Sequence, residues 1–415
     1  MLLIFLAVFF LRSGTQLFLN RLNLSHLRRH GNEIFELFQD TIDREKLGKI
    51  AAYTMESSRF GIVSILAGQA FFLVILLSGF LPWLVKTIHQ GEWGLILSGL
   101  VFFTFIAILQ NLLSIPFNLY DTFVIEERYG FNTKTLKLWI LDLFKSLAIS
   151  AILGGLVLWL LLALVVRGGK AWWVWAWMLA GGFELLMIWL FPVVIAPLFN
   201  KFDPIENQEL ARRIGNLMEK VGLRSKGVFR MDASKRSKHT NAYFTGIGKS
   251  KRIVLYDTLL DSHTDEEILA VLAHEIGHWK KKHLQKQLVL AELLSLAGLY
   301  VVAKLLDLPM IYQTFGFEKP VPFVGLLLIG ALFSPPGYFI QPLGSALLRK
   351  FEKEADDFSL SLMPSAEPMV NALKRLVADN LVNLNPHPLY AWFYYSHPPL
   401  AERISRLKGR NNFLP

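Results

Sequence analysis

The stretch His274-Glu275-Ile276-Gly277-His278 has the residue types and spacing from which metal-assisted hydrolysis is most simply built. Residues four apart on a helix differ by about 40° in direction, so both imidazoles point at one spot. Two neutral nitrogens at that spacing suit Zn²⁺, and the glutamate between them can activate a bound water. The other reading is a helix with two solvated histidines. Against it, the apolar neighbours Ile268, Leu269, Val271 and Leu272 predict that one side of this helix is buried. The chain has no cysteine, so disulfides and thiolate chemistry are excluded. A transition-metal site here must use histidines and carboxylates.

A third ligand has to come from elsewhere. His283 is nine residues beyond His274, about 180° around a continuous helix, and is expected to face away in an exposed or interfacial position. Glu352, in Phe351-Glu352-Lys353-Glu354-Ala355-Asp356, is the best candidate. Glu352 and Asp356 are four apart and share a face. One can coordinate the metal while the other accepts the N–H of a ligand histidine. On spacing alone a solvated acidic helix remains open, and Glu354 and Asp357 are assigned to it.

The elements that must position these residues are mostly apolar. Of 415 residues 53% are hydrophobic and only 18% charged, where a soluble protein carries about 25% charged residues. Mean hydropathy is +0.40. Disorder, collagen and a disulfide-stapled scaffold are excluded, and an integral membrane protein is predicted. Five segments have the roughly 20 apolar residues that a span needs: about 60–85, 93–115, 146–166, 171–196 and 288–306. A sixth, 322–342, carries Pro335, Pro336 and Gly337, which predicts a break or kink. A seventh is the N-terminal run to Leu11, which by itself gives only about 16 Å of helix, so a full span needs either continuation past Arg12 through Leu17, Phe18 and Leu19 or a start further upstream. It lacks a basic region and a cleavage site, so a cleaved signal peptide is not expected.

The net charge of +10 does not point to nucleic acid. By span parity, segments 12–59, 116–145, 197–287 and 343–415 share one side and hold 38 of the 43 Lys and Arg. That places the large polar segments in the cytoplasm, so the basic balance is mostly topology, with some attraction to the anionic lipid bilayer. The expected division is a membrane region over 1–196, a cytoplasmic catalytic segment over 197–287, two spans over 288–342 and a cytoplasmic tail over 343–415. Periodicity predicts a helix over 206–222 and strands at 227–232, 241–247 and 252–257. A helix starting near Thr264 is expected to run straight into the span beginning near Leu288. The fold class is therefore mainly α, a polytopic membrane protein of about seven spans with a small cytoplasmic α+β zincin-like unit. The tail reads as helical to about Leu384 and as loop where Pro386 and Pro388 occur. Glu184, inside a span, is expected to line a cavity or to make a structural salt bridge.

Further stretches carry a resemblance. They are Pro116-Phe117-Asn118-Leu119-Tyr120 with Glu126-Glu127-Arg128-Tyr129-Gly130-Phe131-Asn132, then Ala196-Pro197-Leu198-Phe199-Asn200-Lys201-Phe202, then Lys235-Arg236-Ser237 with His239 and Asn241-Ala242-Tyr243. The HEIGHW stretch, Phe351 to Asp356, and Ser396-His397-Pro398-Pro399-Leu400-Ala401-Glu402-Arg403 complete the set. In this order, over about residues 30–410, the sequence resembles the type-I CAAX prenyl endopeptidases, membrane zinc proteases of the a-factor-converting kind. The resemblance implies a seven-helix barrel around a water-filled chamber and one zinc ion held by His274, His278 and Glu352. It implies Glu275 as general base, with Asp356 left as the supporting carboxylate. Asn241 and Ala242 match a segment that holds the substrate backbone by strand addition. His397 and Arg403 match residues near the substrate carbonyl, and Tyr243 joins them as a candidate for oxyanion stabilisation.

The substrate implied is a peptide or protein, prenylated or membrane-associated, with no obligate protein partner. The sequence departs from the family in a shorter N-terminus and in ending Asn411-Asn412-Phe413-Leu414-Pro415, without a dilysine retrieval signal. That ending suggests a prokaryotic plasma membrane, in which case a farnesylated CAAX protein need not be the native substrate. The alternative is a broad quality-control protease of the HtpX type. Those proteins are shorter with fewer spans, so the 116–135 stretch favours the CAAX type. A non-catalytic transporter or scaffold with a structural metal is disfavoured, because such a site would not need Glu275.

Overall fold

The fold is described from a computed structural model covering residues 1–31, 33, 36–245 and 250–410. Of the expected features, the end of the 241–247 strand and the Asn411–Pro415 terminus lie outside the described residues. Helices dominate. Those long and apolar enough to cross a membrane include α1 (Leu2–His30), α2 (Arg44–Leu77), α3 (Leu95–Tyr120), α4 (Leu136–Arg167) and α5 (Trp172–Leu190). Large side chains such as Ile4, Val63, Ile152 and Leu185 point outwards from them. A surface of that kind is stable in hydrocarbon and not in water. The side-chain oxygens of Asp43 and Thr135 cap the starts of α2 and α4.

The first helix continues past Arg12, one of the two extensions open from the sequence, and runs unbroken for 29 residues, about 43 Å. Its polar residues turn inwards: Arg12 lies near Ser334 and over the Tyr338 ring, and Gln16 accepts from Gln69. Hydropathy read along the chain penalises such residues, although facing a neighbouring helix they do not end a span.

Between α5 and the next span the chain builds a four-stranded sheet and its helices. The strands are β1 (Phe202–Pro204), β2 (Arg224–Met231), β3 (Ala242–Thr245) and β4 (Ser250–Tyr256), in the order β1-β2-β4-β3. β2 and β4 are parallel; β1 and β3 are antiparallel additions, with Ala242 opposite Leu255. β3 is therefore an edge strand. Helices α6 (Gln208–Lys220) and α7 (Asp265–Lys280) pack on the sheet through Ile214, Met218, Ile253, Leu255, Leu272 and Ile276, all buried. A reciprocal capping box of Thr264 and Glu267 starts α7.

α7 does not continue into the membrane. It ends at Lys280, Lys282 takes the left-handed conformation (φ +58°), and α8 (His283–Leu305) begins as a separate span. The following span is broken as well. α9 (Pro322–Tyr338) and α10 (Gln341–Leu362) meet at 60°. The helix runs through Pro335 and Pro336, and the break comes three residues later. Pro342 lies in the first turn of α10, where its missing N–H costs no helical hydrogen bond.

The tail is more helical than expected. After α10 come α11 (Glu367–Asn380), a short helix Pro388–Tyr394 and α12 (Leu400–Arg410). Pro388 starts a helix instead of marking a loop. Met369, Leu373, Val377, Ile404 and Leu407 form a core with Phe38 and Ile42 from the α1–α2 connection. The site is thus built from three stretches far apart in sequence.

Candidate active site

His274 and His278 lie on α7 and Glu352 on α10, and close contact between these helices brings them together. A Cβ on Gly277 would stand 2.9 Å from the Ala355 backbone, so the glycine in the motif is what lets the two helices touch. The two Nε2 atoms of His274 and His278 are 3.1 Å apart. Glu352 Oε2 is 3.3 Å from His274 Nε2, and its Oε1 is 3.1 Å from His278 Nε2.

This donor set fits a small divalent cation. Nitrogens bound tetrahedrally at 2.0–2.1 Å stand about 3.3 Å apart. Glu352 Oε2 is buried without a hydrogen-bond donor. The cluster also draws positive charge. Burial opposes a charged His274, yet the Asp356 and Glu352 carboxylates outweigh it and raise the imidazole to about 9.

The His274 Nδ1 is 2.8 Å from Asp356 Oδ1. Arg403 of α12 grips the same carboxylate at two points, Nη2 to Oδ1 at 2.6 Å and Nε to Oδ2 at 3.0 Å. Asp356 and Arg403 are both buried. Arg403 Nη1 is 3.6 Å from Glu352, so the guanidinium addresses the two carboxylates of the site. His397 Nε2 is 3.3 Å from Glu352 Oε1, with its ring largely exposed.

Glu275 lines a cleft of about 470 Å³ together with His278, Trp279, Tyr243, Phe244 and Thr245. Burial pushes its carboxyl up, with His274 and His278 pulling the other way. The edge strand β3 forms one wall. Asn241 just precedes β3, with its carbonyl accepting from Tyr256 N–H and its side chain accepting from Ala242 N–H. Burial pushes the Tyr243 hydroxyl up to about 12, so it remains an O–H donor at neutral pH.

Two expectations need correction. His283 is not exposed and does not face away: it is 1% exposed, with Nδ1 3.0 Å from His278 Nδ1 and Nε2 3.1 Å from Glu354 Oε2. Glu354 and Asp357 are not merely solvated, since Glu354 meets His283 and Asp357 accepts from Arg406 at 2.6 Å. Glu184 meets Glu292 of the neighbouring span, a second carboxylate and not the cation of a salt bridge.

Sequence reasoning missed roles at the junction with the membrane region. Arg236 makes a two-point contact with Asp142 on α4. His239 lies between Glu126 and Asn380 and stacks on Phe131 at 4.2 Å. Both lie in stretches that carried the resemblance, but nothing in their spacing indicated partners a hundred residues away.

With this geometry in place, comparison with known proteins is decisive. The family model described as "CAAX prenyl protease N-terminal, five membrane helices" matches residues 23–201, and that of peptidase family M48 matches 204–411. The chain belongs to the M48 peptidases. The CAAX prenyl protease 1 homolog of Arabidopsis thaliana is 35% identical over 89% of both chains. CAAX prenyl protease 1 of Saccharomyces cerevisiae is 34% identical over 89% of this chain and 87% of its own. The crystal structure of S. mikatae Ste24p superposes with a TM-score of 0.91 at 32% identity, covering 98% of each chain. This M48 peptidase is therefore a multi-pass membrane metalloprotease of the CAAX type that acts on peptide or protein substrates. The match includes the membrane helices, so the HtpX-type alternative is not favoured.

Proposed function

We propose that this M48 peptidase is a zinc endopeptidase that cuts near the C-terminus of prenylated or otherwise membrane-associated peptides. The observation carrying this reading is the convergence of His274, His278 and Glu352 beside a cleft that holds Glu275 and an edge strand. Zinc, when bound by those three residues, supplies a Lewis acid that activates water and polarises the scissile carbonyl. Glu275 takes a proton from the attacking water and passes it to the leaving amine, a task that its raised pKa suits. The segment Asn241-Ala242-Tyr243 aligns the substrate backbone as an added strand. The Tyr243 O–H and the His397 ring donate towards the developing oxyanion. Arg403 contributes through Asp356, whose carboxylate fixes the His274 ring.

We assign residues 1–196 and 288–342 to the membrane region, and 197–287 with 343–415 to the catalytic unit. The Lys and Arg distribution supports a cytoplasmic catalytic unit, and we place the protein in a prokaryotic plasma membrane. A membrane setting suits substrates with apolar tails, since each buried CH₂ contributes about 0.8 kcal/mol.

Mass spectrometry of a farnesylated CAAX peptide and its unprenylated twin tests this reading. Cleavage after the prenylated cysteine, absent with Glu275→Gln, is expected. Equal cutting of both peptides at scattered bonds would replace it with broad quality-control proteolysis.

A further inference from the structure

We infer that His283 and Glu354 form a positioning relay that fixes the ring of His278, so that the site is mounted partly on the first turn of a membrane helix. The inference rests on the reading of His278 as a zinc ligand.

The relay follows from matching donors to acceptors. His278 directs Nε2 at His274 Nε2 and Glu352, and that nitrogen must carry the lone pair to bind a cation. A neutral imidazole with its lone pair on Nε2 carries its proton on Nδ1. That proton faces His283 Nδ1 at 3.0 Å, which must accept it. His283 is then protonated on Nε2, which lies 3.1 Å from the carboxylate oxygen of Glu354. Every nitrogen in the chain has a complementary partner. The opposite tautomer of either ring would set two lone pairs or two protons against each other in a buried space.

The chain is shaped to make this contact. A continuous helix would carry His283 to the far side of α7. The left-handed Lys282 ends that helix and returns His283 to the site as the first residue of α8. There its ring stacks on Phe351, centroids 4.2 Å apart and planes within 10°. Phe351 adjoins Glu352, so one turn of α10 supplies both the ligand and the surface that orients the relay. Glu354, two residues on, points away from the metal centre towards His283, with Lys286 at 3.8 Å and Lys350 at 4.0 Å from its carboxylate.

The test compares His283→Asn with His283→Leu in the full-length protein. The two side chains share shape, so packing losses are common to both, and only Asn offers an acceptor where Nδ1 stood. Zn²⁺ affinity is read by chelator competition, and ring orientation by the visible spectrum of the Co²⁺-substituted protein. Thermal melting of the metal-free form checks the fold. The Leu variant is expected to bind Zn²⁺ about 10–100-fold more weakly than the Asn variant, with a shifted cobalt spectrum. Glu354→Ala, at a partly exposed position, is expected to weaken Zn²⁺ about 3–10-fold and carries the test if the Leu variant does not fold. Equal affinities and spectra for the Asn and Leu variants, or a native Glu354→Ala where Leu does not fold, overturn the relay. His278→Ala separates this failure from that of the ligand assignment. If that variant retains full Zn²⁺ affinity, His278 is not a ligand and the underlying reading fails instead.

Discussion

His274 and His278 face each other across 3.1 Å, yet unlike supports hold them. His274 rests directly on a buried carboxylate, Asp356, which Arg403 of the last described helix clamps at two points. His278 borders the cleft and rests on a neutral ring, His283, with its carboxylate one step further out. One support is ionic and lies inside the catalytic unit. The other is a relay that starts in a membrane helix. The difference teaches that the two halves of the site report on different parts of the molecule, the C-terminal core for His274 and the membrane junction for His278.

The ionic side should fail hardest. Arg403→Leu leaves Asp356 as a buried charge without its cation, a change that costs about 3–5 kcal/mol. Thermal melting should fall further for Arg403→Leu than for any substitution at His283 or Glu354; equal losses would erase the contrast. Asp356→Asn keeps an acceptor but removes the charge. It is expected to weaken Zn²⁺ about 10–100-fold by chelator competition, more than Glu354→Ala does.

The membrane junction should respond to pH. Glu126 raises the pKa of His239 above its ordinary value, burial opposes this and Asn380 assists it. A histidine whose folded pKa is raised adds stability that is fully present below its unfolded pKa and lost as pH rises through the folded pKa. Melting temperature should therefore fall as pH rises above the ordinary histidine value of about 6.5, and His239→Gln should flatten that slope. An unchanged slope would remove His239 from the set of charged supports. The smallest effect is expected at Lys282, where Lys282→Gly relieves a left-handed side chain. Stability should rise by less than about 1 kcal/mol, with Zn²⁺ affinity unchanged because the path of the chain is kept.

Local features were the legible ones. The spacing of His274 and His278 brings their Nε2 atoms together, and Glu352 and Asp356 at i and i+4 both reach the histidines, because one helical repeat governs each pair. The apolar spans were readable because lipid selects composition over long windows. What escaped depended on departures from regular geometry. A single left-handed lysine turned His283 from the far side of a helix into a contact of His278. Gly277 reads as an unspecified position in the motif, and its part became visible only against the Ala355 backbone. The length of the N-terminal span stayed open at Arg12, whose inward partner Ser334 lies more than three hundred residues away.

The central claim is that one zinc ion is held by His274, His278 and Glu352 while Glu275 moves the proton. Its most direct test measures zinc per chain by mass spectrometry, alongside peptide cleavage, for the native protein, Glu275→Gln and Glu352→Gln. The account predicts one zinc and turnover lowered about 10²–10⁴-fold for Glu275→Gln, and loss of both zinc and turnover for Glu352→Gln. Native turnover in Glu275→Gln, or full zinc content in Glu352→Gln, would contradict it.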